Sequence, residues 1–322
     1  MTVNNKAAWL MEKQQHPFEI KDAPMPTPKP DQVIVQAHAI AVNPFDWIVQ
    51  AAGVIIDTFP KIIGEDVAGT ITAIGADVEN FAVGDRVLGC IDVTESAATQ
   101  GTFQLYSAVN VGMLARLPDN TSFAQGSVLP IALCTAATSL FQQDAMALPL
   151  PQLQPVSNGK TLLIWAASTV VGSCAIQLAI ASGYEVVAIA GKANSGYCRS
   201  VGATQVFDHA SDTVIEDIVF ALKGKQVEGG FCAHTDSDAL KRCVEVVGKT
   251  GGRKVGTVLP PGWAFPEDVP HGVELSYCKC QCLIHTIQVL TTSLQVIVAR
   301  CNITKLDPLF GASGSLPLSP AV

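Results

Sequence analysis

The period of apolar and polar positions changes partway along the chain. Up to about Pro118 the apolar runs are short and strand-like. Val33 to Ala41 alternates in part and is rich in β-branched residues, and Val67 to Ala73 and Arg86 to Gly89 repeat the pattern between Gly and Asp turns. Ala23 to Asp31 (APMPTPKPD) is a proline-rich connector that cannot be helical. Many short strands closed by glycine turns predict a small β-rich, barrel-like unit. Beyond Pro118 the period lengthens. Phe123 to Gln143 predicts a buried helix that Pro130 must end or restart, and Leu148 to Lys160 is a proline-rich excursion.

From Thr161 onward strands and helices alternate. Strands are predicted at Thr161–Trp165, Glu185–Ala190, Gln205–Phe207, Gly229–Ala233 and Lys254–Leu259. Helices fall between them, from about Val171 to Ser182, Asn194 to Val201, Thr213 to Leu222 and Ser237 to Val247. This alternation predicts an α/β unit with a doubly wound parallel sheet.

Composition narrows the function classes. With 48% apolar and 15% charged residues in 322, the chain can bury a large core and is neither disordered nor fibrous. Its formal charge of −8 argues against a nucleic-acid coat or a polybasic membrane binder. Residues 120–143, 161–184 and 280–299 lack Asp, Glu, Lys and Arg, but proline, glycine or polar residues interrupt each one, so no bilayer span is predicted. The opening MTVNNKAAWLMEK has no apolar signal core, and the ten cysteines are expected as reduced thiols in a cytoplasmic protein. Cys278, Cys280 and Cys282 form C-x-C-x-C, which is not a zinc spacing.

Candidate chemistry centres on Thr161 to Asn194. A dinucleotide site needs a small-residue turn between strand and helix, so that backbone N–H groups approach a pyrophosphate. AASTVVG (Ala166 to Gly172) meets that need in part, without the strict G-x-G-x-x-G; an ordinary βαβ unit packing on small residues would read the same way. NAD sites place an acid at the end of the second strand. Here that strand ends Ala190-Gly191-Lys192-Ala193-Asn194, with no carboxylate before Asp208. An acid would repel a 2′-phosphate and Lys192 would attract one. The pattern favours NADP(H), against the plain alternative of a solvated lysine.

Further motifs accompany this turn: AVNPFDW (Ala41 to Trp47), PKIIGEDVAGTITAIG (Pro60 to Gly75), FAVGDRVLG (Phe81 to Gly89), GTFQLYSAV (Gly101 to Val109), SVGATQVFDHAS (Ser200 to Ser211) and GGRKVGTVLP (Gly251 to Pro260). Together they resemble the medium-chain dehydrogenase/reductase superfamily, in its zinc-independent enoyl- and quinone-reductase branch. The likeness is greatest to the trans-acting enoyl reductases of fungal polyketide biosynthesis. The resemblance implies a GroES-like β-rich domain over 1–127 and a Rossmann NADP-binding domain over 128–277. An atypical tail over 278–322 departs from the family and predicts weak or absent turnover.

The resemblance also carries positions across. Asn43 stands where zinc-dependent relatives have a cysteine ligand, and Glu65 where they have the histidine of Gly-His-Glu, so no metal is expected. Asn43, Pro44, Phe45 and Asp46 would line the nicotinamide end, with Leu259 and Pro260 nearby. Ser168, Thr169, Val170 and Val171 would sit on the pyrophosphate, with Gly172 behind them. Gly191, Lys192, Ala193 and Asn194 would surround the 2′-phosphate, and His209 would replace a tyrosine that stacks on adenine. Pro130, Ile131, Ala132, Leu133, Cys134, Thr135, Ala136 and Ala137 match a substrate-lining segment, although their pattern equally suits a core helix. The implied reaction is NADPH-dependent reduction of an α,β-unsaturated thioester by a monomer. The substrate would be a small-molecule or carrier-bound acyl group, with a polyketide synthase as partner. The alternatives are a quinone or enal reductase, or a degenerate NADPH-binding protein. No residue stands out as proton donor.

Overall fold

The computed structural model describes residues 4–94, 97–259 and 269–278. The N-terminal half carries two antiparallel sheets. One orders β2 (Glu19–Ala23), β1 (Asn5–Leu10) and β4 (Lys61–Ile62). The other runs β7 (Tyr106–Asn110), β3 (Gln32–Ile40), β5 (Asp66–Ile74), β6 (Arg86–Cys90) and β8 (Leu114–Arg116). Register shifts at Ile34/Val35 and Ala37/Ala39 break the β3–β5 ladder, a bulged geometry that bends small β units toward closure. Helix α1 (Pro44–Ala52) leaves β3 through Asn43.

The C-terminal sheet is parallel throughout: β11 (Gln205–Asp208), β10 (Glu185–Ala190), β9 (Lys160–Trp165), β12 (Gln226–Cys232), β13 (Lys254–Thr257) and β14 (Glu274–Ser276). Counted from β9 this is the order 3-2-1-4-5-6, so direction reverses between β9 and β12, where open α/β sheets leave their binding crevice. Thr161 to Trp165 is buried at every position because β9 has strands on both sides and helices on both faces. Helix α4 (Val170–Ala181) is apolar nearly all round, since it lies between the sheet and α3 (Pro130–Phe141). Helix α7 (Ser237–Lys249) is amphipathic and buries only the stripe of Leu240, Cys243, Val244, Val246 and Val247. Helices α5 (Ser195–Ser200) and α6 (Val214–Ala221) complete the layers.

Pro130 acts as the sequence predicts: α2 (Phe123–Ser127) stops and α3 restarts with Pro130 at its first turn. The stretch Phe123–Phe141 is long and apolar enough to cross a bilayer by length and composition alone, but its apolar side chains are spent on the core, and 72% of it is buried. At this junction the Arg86 guanidinium donates to the carbonyls of Pro118 (3.0 Å) and Thr121 (2.6 Å), and it lies 4.7 Å from the Phe123 ring centre. His38 stacks on the same ring at 4.5 Å.

The β9–α4 turn departs from glycine-built versions. Ala166 adopts φ +57°, a left-handed conformation that costs an L-residue roughly 1–2 kcal/mol. Thr169 closes the turn, its Oγ1 donating to the Ala166 carbonyl (2.9 Å) and accepting from Gly172 N–H (3.0 Å). Ala166→Gly should therefore stay within about 0.5 kcal/mol of the native stability, because relieved strain offsets lost chain stiffness. Ala166→Val should lose about 2 kcal/mol or more, since a β-branched residue resists φ > 0. Urea unfolding of both variants checks the contrast.

Candidate active site

Two turns meet at the C-terminal edge of β9 and β10. In the first, Gly172 lets α4 seat against the strand: a Cβ there would lie 2.4 Å from the Ala166 carbonyl oxygen. This is the close helix–strand approach that a dinucleotide fold asks of its last glycine. The cap takes up the Gly172 N–H, whereas those of Val170 and Val171, at the first two helical positions, have no partner within the helix. Ser168 Oγ accepts from Asn194 Nδ2 at 3.2 Å, which ties the first turn to the second. Tyr197 on α5 adds a brace, its hydroxyl donating to Ser173 Oγ at 2.9 Å.

The second turn is a short 3-10 helix, Lys192–Asn194, entered through Gly191. Lys192 and Ala193 are exposed, and Gly191 and Asn194 are half-buried. The carboxylate of Asp208 ends β11, where Oδ1 accepts from Ala210 N–H at 3.1 Å. The exposed His209 follows, and a Cβ on Gly191 would lie 3.6 Å from His209 Nε2. The structure thus brings Ser168–Gly172, Gly191–Asn194 and His209 to one edge of the sheet.

A second cluster forms at the start of α1. The Asp46 carboxyl accepts from Asn43 N–H (2.7 Å) through Oδ2, while its Oδ1 is buried without a hydrogen-bond partner. Phe45 is half-buried against the small N-terminal core and Pro44 is exposed. Gly64, at φ +97°, makes the turn that delivers Glu65 and Asp66; a side chain at that position would strike the Phe103 ring 2.2 Å away. Asp66 is fully buried, with Oδ2 accepting from Asn43 Nδ2 (2.9 Å) and Oδ1 from Ile131 N–H (2.7 Å). Behind it Cys90 and Cys134 place their sulfurs 3.4 Å apart.

Burial sets the electrostatics here. It raises Asp46 to about 6, against the opposing N–H groups of Asn43 and Gly64. It raises Asp66 to about 8, against the Asn43 amide and the Ile131 N–H. Glu65 is pushed well above the usual carboxylate range by burial first and then by Asp46, Asp66 and Asp92.

The predicted substrate segment is helix α3. Of Pro130 to Ala137 only Thr135 is half-buried, its Oγ1 donating to the Ile131 carbonyl (2.8 Å); the others are core residues. Leu259 is buried in the apolar cluster that also holds Leu240, Val244 and Val255. Pro260, Cys280, Cys282 and the tail beyond Cys278 lie outside the described residues. Sequence reasoning did not single out Asp66, the most connected side chain of this wall. Its signal was an adjacent acid pair, Glu65-Asp66, inside the otherwise apolar run IIGEDVAG.

A zinc ion fits this wall poorly. Both Asp66 oxygens are engaged by N–H donors and Asn43 presents a donating amide. No three His, Cys, Asp or Glu side chains converge as a ligand set among the described residues.

The raised carboxyls make stability pH-dependent. Both ionise near pH 4 in an unfolded chain, so the fold favours their protonated forms. The stability they contribute is complete below that pH, and it is lost as pH climbs through about 6 for Asp46 and about 8 for Asp66. Asp66→Asn mimics the protonated carboxyl, and the Asn43 amide can turn to present its oxygen. The melting temperature of the native chain should fall as pH rises from about 5 to 8, and this variant should make that fall shallower, the remainder coming from Asp46 and Glu65; equal slopes would contradict the assignment.

Comparison with known proteins agrees with both halves of the structure. A family model described as the alcohol dehydrogenase GroES-like domain matches residues 29–119, and one described as zinc-binding dehydrogenase matches 170–262. Dehydrogenase pigH of Monascus ruber is 41% identical over 274 residues, covering 83% of this chain and 73% of that protein. Trans-enoyl reductase himH of Aspergillus japonicus is 39% identical over 266 residues, covering 82% and 77%. Among solved structures, an alcohol dehydrogenase superfamily protein from Novosphingobium aromaticivorans superposes with TM-score 0.77 at 28% identity, covering 94% of this chain and 88% of that one. The GroES-like sheets, the six-stranded parallel sheet and relatives of this similarity together make the chain an oxidoreductase that belongs to the medium-chain dehydrogenase/reductase superfamily.

Proposed function

We propose that this chain is an NADPH-dependent, zinc-independent enoyl reductase that acts in trans on an α,β-unsaturated acyl thioester carried by a polyketide synthase. In this reading residues 1–127 and 128–277 form the two walls of the site. The observation that carries the cofactor assignment is the pair of turns joined by Asn194 and Ser168, with Lys192 exposed beyond the end of β10, a strand that does not itself end in an acid; Asp208, opposite Ala190 on β11, has its Oδ1 engaged by Ala210 N–H. The name of the himH relative, a trans-enoyl reductase, supports the reaction class.

The residues present suit a dinucleotide. The open N–H groups of α4 receive the pyrophosphate, Lys192 faces the 2′-phosphate, and His209 offers a ring for the adenine. Asn43 to Asp46 orient the nicotinamide end, and Asp66 holds Asn43 in place. When bound, NADPH would supply a hydride to the β-carbon of the unsaturated thioester and leave as NADP+, and solvent would supply the proton taken up at the α-carbon. Around the reacting carbons the protein contributes orientation and exclusion of water. Thr135, the half-buried member of α3, is the residue of that helix we assign to the substrate.

Removal of the lysine tests the cofactor. Lys192→Ala should weaken NADPH by about tenfold, the value of one charge-assisted contact, and leave NADH nearly unchanged. Equal losses would sink the assignment. Metal independence is tested by elemental analysis and chelation: the purified chain should carry no stoichiometric zinc, and turnover of an enoyl thioester should survive a chelator. NADPH oxidation with enoyl thioesters, with quinones and with no acceptor separates this reading from a free-quinone reductase and from an inactive binder.

A further inference from the structure

We propose that Arg242 is a second cation of the dinucleotide site, which binds the 2′-phosphate together with Lys192; this rests on the NADPH reading above. The observation is a side chain that the motif reading did not include. Arg242 lies on α7, outside the buried stripe of that helix. Its guanidinium reaches across to the turn after β11, where Nη1 donates to the His209 carbonyl at 3.4 Å. Nε pairs with Asp238 at 2.9 Å, one helical turn back. Those two contacts orient the fork, and Nη2 has no hydrogen-bond partner among the described residues.

His209 links the two cations: its ring lies beside Gly191, the residue that precedes Lys192, and its carbonyl accepts from Arg242 on α7. A planar fork held in advance by a carboxylate and a carbonyl loses little side-chain entropy when it binds an anion, and its geometry matches two phosphate oxygens. Asp238 offsets part of the charge, which makes the contribution moderate. Arg242 also braces His209 through its carbonyl. A purely bracing role would act on the adenosine as a whole, whereas phosphate binding acts only on nucleotides that carry the 2′ group.

Calorimetric titration of the full chain with 2′,5′-ADP and with 5′-AMP at fixed ionic strength separates the two. Arg242→Ala should weaken 2′,5′-ADP about five- to tenfold and leave 5′-AMP within about twofold. Arg242→Lys should recover part of the loss, since it keeps the charge without the fork. Retained 5′-AMP binding reports that each variant is folded. Equal losses on both nucleotides, or none on either, overturn the role of Arg242. If the native chain prefers 2′,5′-ADP and Lys192→Ala abolishes that preference while Arg242→Ala does not, only this inference fails. If the native chain binds both nucleotides alike, the NADPH reading fails and this inference falls with it.

Discussion

One buried carboxyl ties the entry of α1 to the entry of α3, within an apolar core that runs through both halves of the chain. Asp66 takes a hydrogen bond from the Asn43 side chain, at the entry to α1, and another from the Ile131 peptide, at the entry to α3. Placing a carboxyl in such a site costs several kcal/mol unless it is protonated or fully bonded. It persists because the helix N-terminus and the amide each supply a donor that would otherwise be unsatisfied. The turn at Gly64, the burial of Glu65 and the position of Asn43 all follow from bringing this group to that point.

The opposite wall solves a different problem with unusual means. In the proposed reading its turn comes close to an anion, yet it is made of Ala, Ser and Thr where glycine is the common choice. Thr169 compensates by capping its own helix, and Gly172 is kept where nothing larger fits. Asn194 then fixes the neighbouring turn to the first, so the positions expected at the pyrophosphate and at the 2′-phosphate are set by one hydrogen bond rather than by backbone shape alone.

Much of this was legible in the sequence. The parallel sheet was readable because short continuous apolar runs such as Val186–Ala190 alternate with longer helical segments, and every predicted strand of that sheet is present within a few residues. The last strand, Glu274–Ser276, was not, since three residues carry no period. Strand β2 was missed because Glu19 to Ala23 lies exposed at a sheet edge and shows no apolar face. Lys192 could be named from its place after the second strand and the missing acid, and His209 from the family resemblance. Asp66 and Arg242 could not, because their partners lie 65 and 33 residues away and only the folded chain brings them together.

The thiols carry a consequence for the proposed chemistry. An α,β-unsaturated thioester is an electrophile, and the species that adds to such a carbon is a thiolate. Each of the seven described cysteines is buried. Burial holds Cys198 near 11 and Cys232 near 12, and Cys90 is raised by its hydrogen bond with Cys134 and by burial. A sulfur that is protonated and out of reach does not alkylate. In its described parts, a chain rich in cysteine would therefore present no reactive sulfur to such an electrophile.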